Sequence, residues 1–143
     1  MTLEQILKDK GTEVISIRAT VTLREAAKLL DDKKIGSVVA TTESGDLVGV
    51  LSERDIARQF ARSGAEALVM TVADAMTRDV ITALPSESLD EGLARMSDRR
   101  IRHLPVCVDG ALLGLVSIGD LVKWKINETV AEAEAMKSYI ASG

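Results

Sequence analysis

The sequence predicts an α/β fold of the mixed α+β kind, two β-α-β-β-α repeats packed as a pseudo-twofold pair. Two observations carry this. The chain repeats itself at a fixed offset: Val14-Ile15-Ser16 returns 66 residues later as Val80-Ile81-Thr82, and Gly49-Val50-Leu51-Ser52-Glu53-Arg54-Asp55 returns 65 residues later as Gly114-Leu115-Val116-Ser117-Ile118-Gly119-Asp120. Leu23/Leu89, Glu25/Glu91, Asp32/Asp98, Ile35/Ile101, Gly45/Gly110 and Leu47/Leu112 coincide as well. A fixed internal period decides the architecture, and this one is too long, and repeated too few times, for a solenoid. Strand-like and helix-like patterns also alternate in the same order within each copy.

In the first copy, Val14 to Ile17 is a short extended run. Thr22-Leu23-Arg24-Glu25 has the form of a capping box, in which hydroxyl and carboxylate satisfy each other's free amides. Leu23, Ala26, Ala27 and Leu30 follow on one helical face, and the helix runs out near Asp31 to Lys34. Ser37–Ala40 and Leu47–Leu51 read as strands around the turn-forming Glu43-Ser44-Gly45-Asp46, and a second helix is expected from about Glu53 to Arg62.

The second copy repeats each element. Val80–Thr82 is the expected strand, Ser88-Leu89-Asp90-Glu91 the capping box, and Leu89, Leu93 and Met96 the apolar face. His103–Val108 and Leu112–Val116 are strands around an Asp109-Gly110 hairpin turn. A final helix starts near Gly119 and continues through Trp124 and Ile126 towards Ile140. Leu121, Trp124, Val130, Met136, Tyr139 and Ile140 along it need burial, on the chain's own core or on a second subunit. The two prefixes, from Thr2 and from Thr71, both read as short capped helices. The expected division is a first repeat with its N-terminal helix over 1–66, a second repeat over 67–126 and a helical tail over 127–143, with Ser63-Gly64-Ala65 as the hinge.

Composition narrows the function. With 143 residues, 46% hydrophobic and 28% charged, the chain is of soluble, globular type. A net charge of −4 and only three aromatic residues, Phe60, Trp124 and Tyr139, argue against a nucleic-acid partner. No apolar run approaches a membrane span, and residues 1–5 lack the pattern of a leader. The single cysteine, Cys107, lies in an apolar strand and suits a reducing compartment, so a cytoplasmic location is expected. One histidine and one cysteine make a zinc site unexpected, no phosphate-cradling glycine loop with Lys-Ser/Thr is present, and no nucleophile–base pair stands out. Neither catalysis nor a catalytic cofactor is expected.

The two Gly-φ-φ-Ser-x-x-Asp segments (φ apolar), Gly49–Asp55 and Gly114–Asp120, together with Ile101-Arg102-His103-Leu104-Pro105-Val106, resemble the CBS domain, named after cystathionine β-synthase. More specifically, the pattern is similar to a stand-alone bacterial tandem CBS pair over about Leu3 to Lys123. The resemblance implies a regulatory module for adenosine-containing ligands (AMP, ADP, ATP, NAD or S-adenosylmethionine). It also implies a homodimer and a regulated partner protein of unknown identity.

The chemistry suits such a ligand. Each segment runs from a strand end into a helix start, where free amides and the positive end of the helix dipole favour a phosphate or polar edge. Asp55, one turn into its helix, can accept from both hydroxyls of a ribose, as carboxylates of dinucleotide-binding folds do. Ser-x-x-Asp is equally the pattern of a capping box, and that reading stays open for Ser52/Asp55 and Ser117/Asp120. By the resemblance, the first site comprises Val50, Ser52, Arg54 and Asp55, with Asp79, Val80 and Ile81 at the adenine edge and Arg102 and His103 at the phosphates. The second, poorer site comprises Leu115, Ser117 and Asp120 with Val14, Ile15 and Ser37. There Gly36, Ser37 and Gly119 stand where the first site carries charge.

A ligand-free interaction or dimerisation module, using the apolar tail helix, is the alternative function.

Overall fold

Hydroxyl caps set the starts of the helices. The computed structural model describes residues 1–142. In chain order the elements are α1 (Leu3–Lys10), β1 (Ser16–Arg18), α2 (Leu23–Lys33), β2 (Ser37–Thr41), β3 (Leu47–Ser52), α3 (Glu53–Ser63), a 3₁₀ turn (Gly64–Val69), α4 (Val72–Ala75), α5 (Leu89–Arg99), β4 (His103–Val108), β5 (Ala111–Ser117) and α6 (Ile118–Ser142). Thr2, Thr22, Ser52 and Ser88 each accept at the N-cap from the amide three residues on. The repeat extends to the helix ends, since Lys34 and Arg100 both close their helices in the left-handed conformation, with φ of 56° and 54°.

The described chain divides into two compact units. The first, here the Asp55 unit, comprises residues 13–81 and 109–112. Its sheet has the order β1-β2-β3, with β1 parallel and β3 antiparallel to β2. Leu23, Ala26 and Leu30 of α2, Val38 and Ala40 of β2, Leu51 and Ile56 form its core, and Val72, Ala75 and Met76 complete it. The second, the Asp120 unit, comprises residues 1–12, 82–108 and 113 onward. Its most deeply buried side chains include Leu3, Ile6, Leu7, Leu89, Met96, Leu104, Val116 and Leu121.

The prefix helices are exchanged between the copies. α1 precedes the first copy but packs on the second: Leu3 N–H donates to Glu87 O (2.9 Å) and Leu89 N–H to Met1 O (2.9 Å). α4 precedes the second copy but packs on the first, with Val72 N–H on Val21 O (2.8 Å) and Leu23 N–H on Met70 O (2.8 Å). Each prefix thereby satisfies amides at the start of a neighbouring helix, which an isolated helix would leave unpaired.

Four expectations are corrected. The first strand lies at Ser16–Arg18 rather than from Val14, and Val14 and Ile15 precede it. Val80–Thr82 forms no strand; its counterpart is a single parallel bridge between Ala83 and Val106, in the register that pairs Ile17 with Ala40 in the first copy. Extending that ladder towards the N-terminus needs an amide N–H at position 105, and Pro105 has none. Val39 stands at the equivalent place, and the first copy's ladder runs over three pairs. Arg95 supports the segment instead, donating to Thr82 O (2.8 Å) and pairing with Glu87.

The expected hinge at Ser63–Ala65 is the end of α3 and the start of the 3₁₀ turn, whose Ala67 is fully buried. The buried face of α5 is Leu89, Gly92 and Met96, with Leu93 only half-buried. A Cβ at Gly92 would stand 3.1 Å from Leu121 and 3.3 Å from Leu3, so α1 and α6 close over the space a side chain would take.

α6 buries Leu121 and half-buries Trp124, while Val130, Met136, Tyr139 and Ile140 remain exposed. They are not covered by the chain's own core.

Candidate functional site

β3 ends where α3 begins, and the turn between them is built by a reciprocal box. Ser52 N–H donates to Asp55 Oδ2 (2.9 Å) and Asp55 N–H to Ser52 Oγ (3.2 Å). Glu53 N–H is taken by Gly36 O at 2.9 Å. The Asp55 carboxylate therefore turns back on its own helix start, and its side chain is only 8% exposed. Arg58, one turn further along α3, donates to Asp55 Oδ1 at 3.1 Å. Each carboxylate oxygen has taken one bond, so one acceptor position on each remains for a diol.

Gly49 and Val50 explain the strand side of the junction. A Cβ at Gly49 would lie 2.5 Å from Met76 Sδ and 2.9 Å from Thr77 O, so only glycine admits this approach. Val50 then exchanges both backbone bonds with Thr77 (3.0 and 2.9 Å). This pairing places the segment leading to Asp79, Val80 and Ile81 against the strand end. Asp79 and Arg54 are exposed, and Val80 and Ile81 are half-buried.

The Asp120 junction repeats the box. Ser117 N–H donates to Asp120 Oδ2 (2.9 Å), Asp120 N–H to Ser117 Oγ (3.1 Å), and Ile118 N–H to Arg102 O (2.8 Å). Its cation comes from another helix. Lys10 Nζ, from the end of α1, donates to Asp120 Oδ2 and to Leu115 O (2.9 Å). Burial raises the Asp120 carboxyl, but the bonds from Lys10 and Ser117 outweigh it and hold the group below its ordinary value. At Gly114 a Cβ would meet Leu7 Cδ2 at 2.7 Å, the counterpart of the Met76 approach to Gly49.

Of the residues expected at the first site, Val50, Ser52, Arg54, Asp55 and Asp79–Ile81 belong to the Asp55 unit. Arg102 and His103 belong to the Asp120 unit, with exposed side chains, and Arg102 lends its carbonyl to the start of α6. Of those expected at the second, Leu115, Ser117 and Asp120 share the Asp120 unit. Val14, Ile15 and Ser37 lie in the Asp55 unit, where Ser37 is the cross-strand partner of Ser52.

Sequence reasoning missed Arg58 and Lys10. Arg58 stands at i+3 from Asp55 and was available from helical spacing. Lys10 is 110 residues from Asp120, and no local pattern joins them. Cys107 is buried, and burial pushes its thiol up, away from reactivity.

The profile of the CBS domain matches this chain twice, over residues 5–62 and 72–127. The chain belongs to the CBS-domain family. A mitochondrial CBS domain-containing protein of Arabidopsis thaliana is 30% identical over 99% of this chain and 73% of its own length. The crystal structure of a CBS-domain containing protein from Agrobacterium tumefaciens superposes with a TM-score of 0.75 at 36% identity, covering 87% of this chain and 99% of that one. The CBS domain pair of protein MJ0100, solved in complex with 5′-methylthioadenosine and S-adenosyl-L-methionine, gives a TM-score of 0.72 at 29% identity over 90% of this chain and 98% of that one. The fold is thus that of a CBS pair, a regulatory module of two repeats. No helix among the described residues is long and apolar enough to cross a membrane.

Proposed function

We infer that this chain is a ligand-sensing module that takes an adenosine-containing molecule at the Asp55 junction and relays occupancy to a partner protein. The observation that carries the reading is the likeness to a CBS pair solved with two adenosine compounds, joined to a Ser52–Asp55 helix start that presents a carboxylate with spare acceptor positions. Asp55 would accept from the ribose hydroxyls, and Val50 and Asp79–Ile81 would line the base. Arg54, with Arg102 and His103 by the family resemblance, would serve the phosphates of AMP, ADP, ATP or NAD. Relay requires that the ligand prefer one of two shapes of the protein. A cytoplasmic homodimer, neither an enzyme nor a binder of nucleic acid, completes the proposal.

Binding stabilises the folded state, by about 2.7 kcal/mol at one hundred times Kd. For a chain of this size that is roughly 5–10 °C in Tm. Thermal shift against AMP, ADP, ATP, NAD, S-adenosylmethionine and 5′-methylthioadenosine tests the reading, and no shift with any of them at millimolar concentration contradicts it.

One observation favours a second reading, a ligand-free interaction or dimerisation module: Asp55 is already engaged by Ser52 and Arg58, while Met136, Tyr139 and Ile140 on α6 are exposed. That reading expects Asp55→Ala to leave ligand response and assembly unchanged and Tyr139→Glu to break assembly, read by light scattering.

A further inference from the structure

The two Ser-x-x-Asp junctions share their backbone but not their occupant. At the Asp55 junction the strand-end residue Val50 is paired through its backbone with Thr77. At the Asp120 junction the equivalent residue is Leu115, and its carbonyl is met by the Lys10 ammonium at 2.9 Å. The same ammonium donates to Asp120 Oδ2. Aligned on their capping threonines Thr2 and Thr71, the prefixes place Lys10 opposite Asp79. The cause is helix length: α1 runs eight residues to Lys10, whereas α4 stops after four and its chain turns extended at Met76. The longer helix carries a cation to the mouth of one junction, and the shorter one leaves the other without it.

We propose that Lys10 is a built-in occupant of the Asp120 junction, closing it to a ribose diol and limiting the chain to one adenosine ligand, at Asp55. A diol would reach Asp120 and the strand end through neutral hydroxyls, whereas Lys10 holds the carboxylate through a charge-assisted bond, the stronger kind. It also bridges strand end and helix start, holding Leu115 O and, together with the Ser117 amide, filling Asp120 Oδ2, so a diol finds only Oδ1 open there. Arg58 does not do this at Asp55. It approaches Oδ1 alone from within α3 and keeps its side chain 45% exposed. Lys10 is more enclosed, at 34%. The depressed Asp120 carboxyl agrees with a carboxylate already compensated by a cation.

The inference rests on the adenosine reading of these junctions, and calorimetric titration separates the two. The probes are 5′-methylthioadenosine, which is neutral at the ribose end, and AMP. Wild-type protein is expected to take one 5′-methylthioadenosine per chain, and Lys10→Met two, the second lost again in Lys10→Met/Asp120→Asn. Lys10→Arg keeps the stoichiometry at one. Should Lys10→Met fail to fold, Lys10→Gln, which removes the charge, shortens the reach by one atom and keeps a polar end, gives the same reading. One ligand in both wild type and Lys10→Met, or two in wild type, overturns the closure and leaves the adenosine reading intact. No binding in wild type with one site gained in Lys10→Met supports the closure and removes the Asp55 assignment. Binding in neither removes both. A tenfold or greater loss of AMP affinity in Lys10→Met, with 5′-methylthioadenosine unaffected, makes Lys10 a phosphate contact and overturns the proposal.

Discussion

The Asp55 and Asp120 junctions are the same construction finished in two ways. Both carry within the strand a glycine that a neighbouring prefix segment approaches, both cap a helix with Ser-x-x-Asp, and both take the helix's first amide onto the carbonyl of the residue just before β2 or β4. The Asp55 junction is sealed by backbone, through the Val50–Thr77 exchange, whereas the Asp120 junction is sealed by a side chain, Lys10. Backbone pairing uses no charge and leaves the carboxylate with its own helix. Side-chain pairing spends the carboxylate on a cation. Duplication therefore reproduces a scaffold more faithfully than it reproduces a site, because the site depends on how far one prefix helix continues.

The largest break in this comparison is expected at the two glycines. Gly49→Ala drives a methyl against Met76 and against the Thr77 carbonyl, which cannot swing away, and should cost about 3 kcal/mol. Gly114→Ala meets only a side chain, the branched end of the buried Leu7, which can yield more readily than a backbone carbonyl, and should cost about 1 kcal/mol. Urea midpoints of the two variants measure the difference. Equal losses would mean that both junctions are sealed by equally rigid groups.

Next in size is the carboxylate. Asp55→Ala strands the Ser52 amide in a part-buried place and should cost about 2 kcal/mol. Asp120→Ala frees Lys10 to reach solvent and should cost less, although each carboxylate accepts two bonds, since its side chain is 27% exposed against 8% for Asp55. Chemical denaturation of both variants at neutral pH gives the order.

The smallest effect concerns acid. Glu87 is held below its ordinary value of 4.5, first by its bond from Arg95, and Asp120 below 3.8 by Lys10 and Ser117 against the opposing pull of burial. The unfolded chain binds these protons more readily, so stability rises with pH across this range. Both contributions are complete above the ordinary values and are lost as pH falls through the lower folded ones. Below about pH 4.5, Glu87→Gln should flatten the acid dependence of Tm in the Asp120 unit, and Lys10→Met should remove a further part. An unchanged slope in Glu87→Gln would separate the Arg95 pair from acid stability.

Much of this was legible in residues read one turn at a time. Thr22, Ser52 and Ser88 announced their helices, and Asp109-Gly110 its hairpin, with both residues at positive φ as a tight turn requires. What escaped depended on partners distant in sequence. Pro105 erased a strand at Val80–Thr82 by withholding an amide on a different segment. The prefix exchange put α1 with the copy it does not precede, and Lys10 reached Asp120 only because of that exchange. The Ser-x-x-Asp pattern identified the place of the candidate site but not the state of its carboxylates, both of which the fold already uses.

Whether Asp55 keeps enough acceptor capacity for a ligand is the central question, and one melting experiment addresses it directly: Tm of wild type and Asp55→Asn, each with and without millimolar 5′-methylthioadenosine and AMP. The account predicts a rise of about 5–10 °C in wild type that is lost in Asp55→Asn. An equal rise in both proteins, or none in wild type, contradicts it.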